Sequence, residues 1–204
     1  MQEMLDVYDV NKKFIGAAER NVVHAYGLWH KTVVCWLVWD NKLVFQRRSK
    51  NLDNNPNKLY TTASGHVSAD ETVAEAFIRE IEQEIGIAPK NPIFLREQMW
   101  GADIKKSDGS IMVDRVFSNI YCAIHNGGIE DFKFSDGEVD SVVAIDLSDF
   151  LVWSENANGE ISGLEWNGSD VIKTSLSAND FLINPGETIS AKFGFHANMI
   201  KMNI

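Results

Sequence analysis

The sequence is short of positive charge and has no long apolar run. Its 204 residues include 19 Lys and Arg against 29 Asp and Glu, which gives a formal net charge of −10. A nucleic-acid polymer is bound through a basic surface, so we expect no such partner. No stretch approaches the roughly 18 consecutive apolar residues of a membrane-spanning helix, so we expect no membrane partner either.

Cysteine is scarce as well. Cys35 and Cys122 lie in separate apolar runs and lack the close spacing of a zinc site. We predict that both are buried free thiols, which are typical of a reducing compartment. The first residues, MQEMLDVYDVNKK, are acidic and alternate in polarity, unlike a signal peptide. We therefore expect a cytoplasmic protein.

The most informative stretch is residues 65–87, GHVSADETVAEAFIREIEQEIGI. Ser68 and Glu71 have the spacing of a capping box, which predicts a helix that continues to about Ile85. Gly86 is the residue expected to end it in the left-handed conformation. One face of this helix carries an apolar stripe that must pack on a core, made of Ala74, Ile78, Ile81 and Ile85 and widened by Val73 and Phe77.

The neighbouring face of the same helix is unusually acidic. Glu80, Gln83 and Glu84 lie together at positions i, i+3 and i+4, near the helix end that disfavours anions. A pair of like charges at this spacing costs about 0.2–0.5 kcal/mol. A hard divalent cation, Mg²⁺ or Mn²⁺, bound through oxygen ligands would reverse the sign of both effects. The alternative is an ordinary amphipathic helix with an acidic face.

This stretch resembles the signature of the Nudix superfamily. That signature is Gly, five residues, Glu, seven residues, and then Arg-Glu-apolar-any-Glu-Glu-any-Gly-apolar. Gln83 departs from it, since it stands where the first Glu of the pair is expected. The matching residues are Gly65, Glu71, Arg79, Glu80, Ile81, Glu84, Gly86 and Ile87. The resemblance implies an α/β fold, an α/β/α sandwich with a mixed sheet, over residues 1–151. We expect residues 152–204 to be a C-terminal extension packed on the same domain.

The remaining pattern is that of a mixed α/β chain. Alternating and β-branched runs predict two β-hairpins, at 5–16 and 31–48, and strands at 93–100, 111–124 and 138–146. We predict loops at 49–58 and 101–110, a connection at 20–29, and a helix that begins at 147–151 with Ser148 as its cap. Signals weaken after Trp153, although residues 186–204 could hold a terminal helix.

The N-terminal half narrows the resemblance. It is similar to the Nudix branch that contains isopentenyl-diphosphate isomerase and its hydrolase-like relatives. The shared segments are His24, LWH at 28–30, QRRS at 46–49, PNKLY at 56–60 and ASGH at 63–66. Two reactions are therefore candidates: hydrolysis of a nucleotide-like or other small diphosphate, and movement of a double bond in a five-carbon diphosphate.

Three positions favour the hydrolase. The isomerase has a Cys where this chain has Ser64, and a hydroxyl is a far weaker acid than a thiol. It has an acid-any-acid pair where this chain has Val113 and Arg115, with only Asp114 between them. It also has a basic residue at the position of Glu80. A third possibility is a catalytically weak nucleotide-binding protein, because Gln83 is a poorer metal ligand than a carboxylate.

Roles for single residues follow from the resemblance and from their chemistry. Glu80, Glu84 and the backbone carbonyl of Ser64 are expected to hold the ion, with Gln83 as a weaker contact. A bound ion would neutralise diphosphate charge and lower the pKa of the water that attacks phosphorus. Other roles are assigned as follows: Arg79 orients the carboxylates, Arg48 and Lys58 contact the substrate phosphate, Arg47 is solvated, and the general base is Glu84, Glu97, Asp103 or Glu138.

Three histidines allow two interpretations. In the isomerase, the residues matching His24, His30 and His66 bind a second metal that two Glu complete. Here the histidines remain without that Glu pair. They could hold Zn²⁺ or a similar ion, or they could be structural hydrogen-bonding groups. The expected partner is a small-molecule diphosphate, and a homodimer is possible by analogy with the fold class.

Overall fold

A computed structural model describes residues 2–105, 109–184 and 186–204 of the chain. Helices and strands within these ranges follow in chain order: β1 (Met4–Tyr8), β2 (Phe14–Glu19), α1 (Arg20–Tyr26), β3 (His30–Trp39), β4 (Lys42–Arg48), β5 (Leu59–Tyr60), β6 (Ala63–His66), α2 (Val73–Ile85), β7 (Ile93–Lys105), β8 (Ile111–His125), β9 (Val139–Asp146), α3 (Leu147–Ser154), β10 (Ile161–Trp166), β11 (Val171–Leu176) and α4 (Phe195–Asn203). A wide π turn at Ser190–Gly194 leads directly into α4.

The central element is a mixed sheet with the strand order β11-β10-β9-β4-β3-β8-β7. The short strand β5 pairs with β4, and β6 pairs with β3. Strands β3 and β8 run parallel, whereas β3 and β4 form the antiparallel hairpin that the sequence predicted. The parallel pair places the ends of β3 and β8 side by side, which brings distant parts of the sequence into one site.

Helices cover both faces of this sheet. On one face α2 buries Phe77, Ile81 and Ile85 against Val33 and Leu37 of β3 and their neighbours. On the other face α3, the π turn and α4 pack over an aromatic core that comprises Trp36, Phe45, Phe150, Phe181 and Phe193. The predicted α/β/α sandwich with a mixed sheet is confirmed. Burial of such large apolar side chains, at about 25 cal/mol per Å², is the main source of its stability.

The N-terminal segment forms a smaller layer beside the sheet. The predicted first hairpin is present as β1 and β2, and Leu5 and Val7 of β1 pack on Val23 of α1. Residues 20–29 were expected to be only a connection, but most of them form α1. This helix carries His24 into the molecule, where its side chain is buried.

The helix α2 begins later than the sequence predicted. Its cap is Thr72, whose hydroxyl accepts from the Glu75 backbone N–H while the Glu75 carboxylate accepts from the N–H of Thr72. Ser68 and Glu71 instead close a turn before the helix, in which the Ser68 N–H donates to the Glu71 carboxylate. The predicted stripe is therefore shifted: Ala74 is exposed, and Ala76 is buried in its place. The left-handed cap at Gly86 is confirmed.

Several other predicted boundaries differ from the structure. Strand β7 continues to Lys105, so the first half of the expected loop at 101–110 is strand, and residues 106–108 lie outside the described residues. The cap of α3 is Asp146 rather than Ser148, because the Asp146 carboxylate accepts from the N–H groups of Ser148 and Asp149. A terminal helix within 186–204 is present as α4.

The sequence did not predict β10 and β11. These strands form a hairpin, and β10 pairs with β9 and so extends the main sheet. The division of the chain at residue 151 stays a prediction. Cys35 and Cys122 are both buried and unbonded to each other, as expected. In the described part of the chain, no helix combines the length and apolarity that a membrane crossing requires.

Candidate active site

A cavity of about 1430 Å³ runs along one end of the sheet, between α2, the N-terminal layer and the C-terminal segment. Three regions of its lining differ in charge. The acidic region contains Glu80, Glu84, Asp136 and Glu138. The histidine region contains His24, His66 and Asp114, and the basic wall contains Arg48, Arg96, Lys192 and His196.

Glu84 is the most deeply buried acid of the cavity, with only 5% of its surface exposed. Its Oε2 accepts a hydrogen bond of 2.8 Å from the side-chain amide of Gln46, and its Oε1 accepts one of 3.3 Å from the Ser64 N–H. Burial, and then the nearby charge of Glu80, raise the pKa of Glu84 well above its usual range. A pair of neutral donors thus holds this carboxylate in place without neutralising it.

Glu80 lies one helical turn earlier and packs directly on the backbone of Gly65. A β-carbon at Gly65 would lie 2.0 Å from the Glu80 Oε1, so only glycine leaves room for this carboxylate. Burial raises the pKa of Glu80, although the charge of Arg79 partly opposes the effect. The close approach gives a physical reason for Gly65 at the start of the motif.

Arg79 fixes this arrangement through five hydrogen bonds. Its Nε and Nη2 donate to the two carboxylate oxygens of Glu71 at 2.7 and 2.9 Å, and its Nη1 donates to the Glu80 Oε1 at 2.7 Å. It also donates to the carbonyl of His66 and to the side-chain oxygen of Gln83, which is exposed. Burial works against ionisation of Glu71, yet the bonds from Arg79 and the Ser68 N–H together lower its pKa.

The acidic region fits a divalent cation. Glu80 and Glu84 line the same cavity, and both have a raised pKa. Of these two carboxylates, Glu80 pairs with Arg79, whereas Glu84 has no cationic partner among the described residues. An ion bound between them would remove the repulsion that their burial intensifies. The roles expected of Gln83 and of the Ser64 carbonyl stay predictions. The side-chain oxygen of Gln83 accepts a hydrogen bond from Arg79, and the Ser64 N–H donates one to Glu84.

In the histidine region, His30 lies behind the cavity lining and next to His24 and His66, so all three predicted histidines are together. One ligand atom from each of His24, His30 and His66 lies within 4.8 Å of the others. The Nδ1 atoms of His24 and His30 contact the carbonyls of Arg20 and Leu28 at 2.9 and 3.0 Å. A carbonyl can only accept, so Nδ1 carries the proton in both rings and Nε2 keeps its lone pair.

A carboxylate completes this cluster, which the sequence did not predict. The Oδ1 of Asp114 lies 3.7 Å from the Nε2 of both His24 and His30, and Glu3 Oε1 lies 3.3 Å from the Nδ1 of His66. The Asp114 Oδ1 and the His30 Nε2 are buried, and neither has a hydrogen-bond partner among residues 2–105, 109–184 and 186–204. Burial lowers the pKa of His24, and that of His30 to about 4, so both rings are neutral near pH 7.

The predicted phosphate contacts and general bases have different surroundings. Arg48 lines the cavity and donates to the carbonyl of Asn54, while its buried Nε has no hydrogen-bond partner among the residues described. Lys58 does not line the cavity and donates to the carbonyl of Asn179. Of the four candidate bases, Glu84 and Glu138 line the cavity and the other two do not. Glu97 pairs with Lys12, and Asp103 pairs with Arg115.

Arg47 is not solvated, contrary to expectation. Its Nε and Nη2 donate to the two carboxylate oxygens of Glu165 on β10 at 2.6 and 2.9 Å. Both side chains are only 17% exposed. The alternation of β4 does point Arg47 away from the phosphate candidate Arg48, but β10, which the sequence did not predict, covers that face.

Comparison with known proteins identifies the family to which this chain belongs. A family model of the NUDIX domain matches residues 28–166. The chain therefore belongs to the Nudix family, and it is a Nudix hydrolase. Members of this family generally use divalent metal ions.

Individual relatives agree with this assignment. The chain is 27% identical to an uncharacterised Nudix hydrolase of Clostridium acetobutylicum, covering 98% of this chain and 96% of that one. It is 25% identical to Nudix hydrolase 3 of Arabidopsis thaliana over 73% of its own length, but it spans only 20% of that protein. It is 36% identical to the uncharacterised Nudix hydrolase YfcD of Escherichia coli, over 42% of this chain and 48% of the other.

The fold has a counterpart among solved structures. The crystal structure of DR0079 from Deinococcus radiodurans superimposes with a TM-score of 0.55 at 18% identity. The match covers 74% of this chain and 87% of that one. At this identity the likeness shows the fold alone.

Proposed function

We propose that the protein hydrolyses a diphosphate linkage in a nucleotide-like or other small organic molecule, with Mg²⁺ or Mn²⁺ held by Glu80 and Glu84. The observation that carries this proposal is the buried, un-neutralised carboxylate of Glu84 beside Glu80 in a cavity large enough for such a substrate. The bound ion would neutralise diphosphate charge and activate water for attack on phosphorus.

The residues of the chain contribute positioning and charge. Gln46 and the Ser64 N–H hold Glu84, and Gly65 gives Glu80 the space to approach β6. Arg79 orients Glu80, and Arg48 is the candidate for a bidentate contact to the substrate phosphate. Glu84 and Glu138 are the candidates for accepting the proton of the attacking water, since both line the cavity.

We further propose that His24, His30 and His66 bind a second ion, with Asp114 as an anionic ligand. Three imidazoles, of which His24 and His30 keep a free Nε2, and a carboxylate form a ligand set that suits Zn²⁺ and related ions. The two unpartnered buried atoms, His30 Nε2 and Asp114 Oδ1, support this proposal because such atoms are costly unless something satisfies them.

The isomerase alternative has less support. It requires an acid–base pair at the position of Ser64 and in β8, where this chain offers a hydroxyl and a single carboxylate, Asp114. A weakly active nucleotide-binding protein remains the second alternative, since Gln83 supplies no charge. Its amide oxygen is occupied by Arg79.

The test is phosphate or nucleotide release from a panel of nucleoside and organic diphosphates, with Mg²⁺, Mn²⁺ or a chelator present. We expect metal-dependent release that falls roughly 100-fold or more in Glu84→Gln, because the ion supplies several kcal/mol of transition-state stabilisation. The matched control is Glu82→Gln, which makes the same change on the exposed side of α2. Equal loss in both variants, or isomerised isopentenyl diphosphate in the same panel, would refute the proposal.

A further inference from the structure

The basic wall of the cavity contains a cation for which the proposed reaction has no use. We propose that Arg96, together with His196, binds a second anionic group of the substrate, separate from the diphosphate. The substrate would then be a diphosphate whose organic part carries a phosphate or carboxylate at its distal end. This inference rests on the proposed function only in placing the diphosphate at the acidic region.

Arg96 has no anionic partner among the described residues. It lies half-buried on β7, and its guanidinium carbon sits 4.9 Å from the centre of the Phe195 ring on α4. Within residues 2–105, 109–184 and 186–204 its side chain makes no ion pair or hydrogen bond. A guanidinium that is partly withdrawn from water gains from an anionic partner, and this chain has an excess of ten acids that could have supplied one. The aromatic contact holds the fork of Arg96 in position and leaves its donors free for a ligand.

His196 supplies the second, independent observation. Only 6% of its surface is exposed, and its buried Nδ1 has no hydrogen-bond partner in the part of the chain that the structure describes. Burial, and then the charge of Arg96, lower its pKa to about 4, so the ring is neutral near pH 7. Both side chains line the cavity and lie near the Phe195 ring, where the neutral imidazole offers a directional hydrogen bond and adds no further positive charge. The pair therefore suits the oxygen of an anion that Arg96 neutralises.

The other cations of the wall already have contacts of their own. Lys192 pairs with Glu187 at 3.3 Å and lies over the ring of Tyr60. Arg48 donates to the carbonyl of Asn54 and is the candidate for the diphosphate itself. Arg96 is thus the cation of this wall that is best placed to discriminate between substrates with and without a second anion.

The size of the cavity agrees with a substrate of this kind. Its volume of about 1430 Å³ exceeds the roughly 300–1,000 Å³ of typical small-molecule pockets. One cavity thus contains both the acidic region on α2 and the basic wall on β7 and α4, so a single molecule can contact both. Guanidinium binds phosphate in a bidentate manner, which makes a terminal phosphomonoester the best fit.

The experiment uses matched pairs of diphosphates that differ by one distal phosphate: NADPH with NADH, and coenzyme A with 3′-dephospho-coenzyme A. For the wild-type protein we expect a KM at least about tenfold lower for the phosphate-bearing member of at least one pair. In Arg96→Gln this preference should disappear through a rise in KM with little change in kcat. Arg96→Lys should restore part of it, since it keeps the charge but loses the fork.

Controls separate a local contact from a general effect. Lys173→Gln removes the same charge from the exposed face of β11, away from the cavity, and should leave the preference intact. His196→Gln should weaken the preference less than Arg96→Gln does, and thermal unfolding checks that each variant is folded. Equal KM values within both pairs for the wild type, or an equal loss on both members in Arg96→Gln, would overturn the inference.

Failure of the proposed reaction can be told apart from failure of this inference. Titration calorimetry measures binding of the same four compounds without requiring turnover. If none is cleaved, the proposed function fails, while tighter binding of the phosphate-bearing member that Arg96→Gln abolishes would still support the anion site. If cleavage occurs without any such difference in binding or KM, the anion site is wrong and the proposed function stands.

Discussion

At the scale of single residues, Glu84 is held in a position that is unfavourable for a free carboxylate. Its burial and the charge of Glu80 raise its pKa, so the folded protein binds the proton more tightly than the unfolded chain does. The resulting stabilisation is complete below the ordinary pKa of 4.5 and is lost as the pH rises through the folded value. Near pH 7, when a chelator has removed the metal, the ionised Glu84 therefore destabilises the folded protein.

Replacing Glu84 by Gln should remove that cost. We predict that Glu84→Gln, measured by thermal unfolding in a chelator, is more stable than the wild type near pH 8, with a smaller difference near pH 4.5. The amide keeps the shape of the carboxylate: its oxygen can accept from the Ser64 N–H, and its NH2 can donate to the side-chain oxygen of Gln46 once that amide is flipped. A variant that is less stable than the wild type at pH 8 would show that this carboxylate is not strained.

Gly65 provides a second test at this scale. A methyl group there would lie 2.0 Å from the Glu80 carboxylate, so Gly65→Ala should displace Glu80 and lower kcat by roughly 100-fold, as misplacements of about 1 Å do. Ser64→Ala is the matched control, because it removes a hydroxyl but keeps the N–H that holds Glu84. Full metal-dependent activity in Gly65→Ala would contradict the claim that Glu80 binds the metal from its place against the Gly65 backbone.

At the scale of elements, α2 illustrates what a sequence pattern can and cannot determine. The period of its apolar residues and Gly86 predicted its existence and its end, because both depend on local geometry. Two consecutive segments, residues 68–71 and 72–75, have the spacing of a capping box, and the prediction that the helix begins at the first was wrong. The structure uses Thr72 and Glu75, whereas Ser68 and Glu71 form the turn that lets Glu71 reach Arg79.

Capping variants can verify this boundary. We predict that Thr72→Ala lowers the free energy of unfolding by about 1 kcal/mol, since it removes the hydroxyl that accepts from the Glu75 N–H. Ser68→Ala should cost clearly less, because Ser68 contributes its backbone N–H to Glu71 rather than its side chain. Urea unfolding of the two variants gives both values. A larger loss of stability in Ser68→Ala would indicate that Ser68, and not Thr72, caps the helix.

At the scale of the whole molecule, local patterns predicted a mixed α/β chain and the acidic pair, and the family resemblance implied the sandwich, but the features that depend on distant partners were missed. The strands β3, β4, β8 and β9 carry strong β-branched runs and were predicted, whereas the polar hairpin of β10 and β11 was not. Asp114 was visible in the sequence, but its approach to His24 and His30 follows from the parallel pairing of β3 with β8, which no local signal encodes.

The pairing of Arg47 with Glu165 tests whether β10 is integral to the sheet. Both groups are largely buried, so we predict that Arg47→Met lowers the free energy of unfolding by about 3–5 kcal/mol, because Glu165 is left as an uncompensated buried charge. The double variant Arg47→Met with Glu165→Met should recover most of that loss. Chemical denaturation measures both, and a single variant as stable as the wild type would mean that β10 is only loosely attached.

The central claim is that an ion held by Glu80 and Glu84 supports cleavage of a diphosphate linkage. Its most direct test is the initial rate of cleavage as a function of Mg²⁺ or Mn²⁺ concentration, for the wild type and for Glu84→Gln. We predict saturable metal dependence in the wild type, no turnover in the presence of a chelator, and a loss of roughly 100-fold or more in the folded variant. Turnover without metal, or the same metal dependence in Glu84→Gln, would contradict the claim.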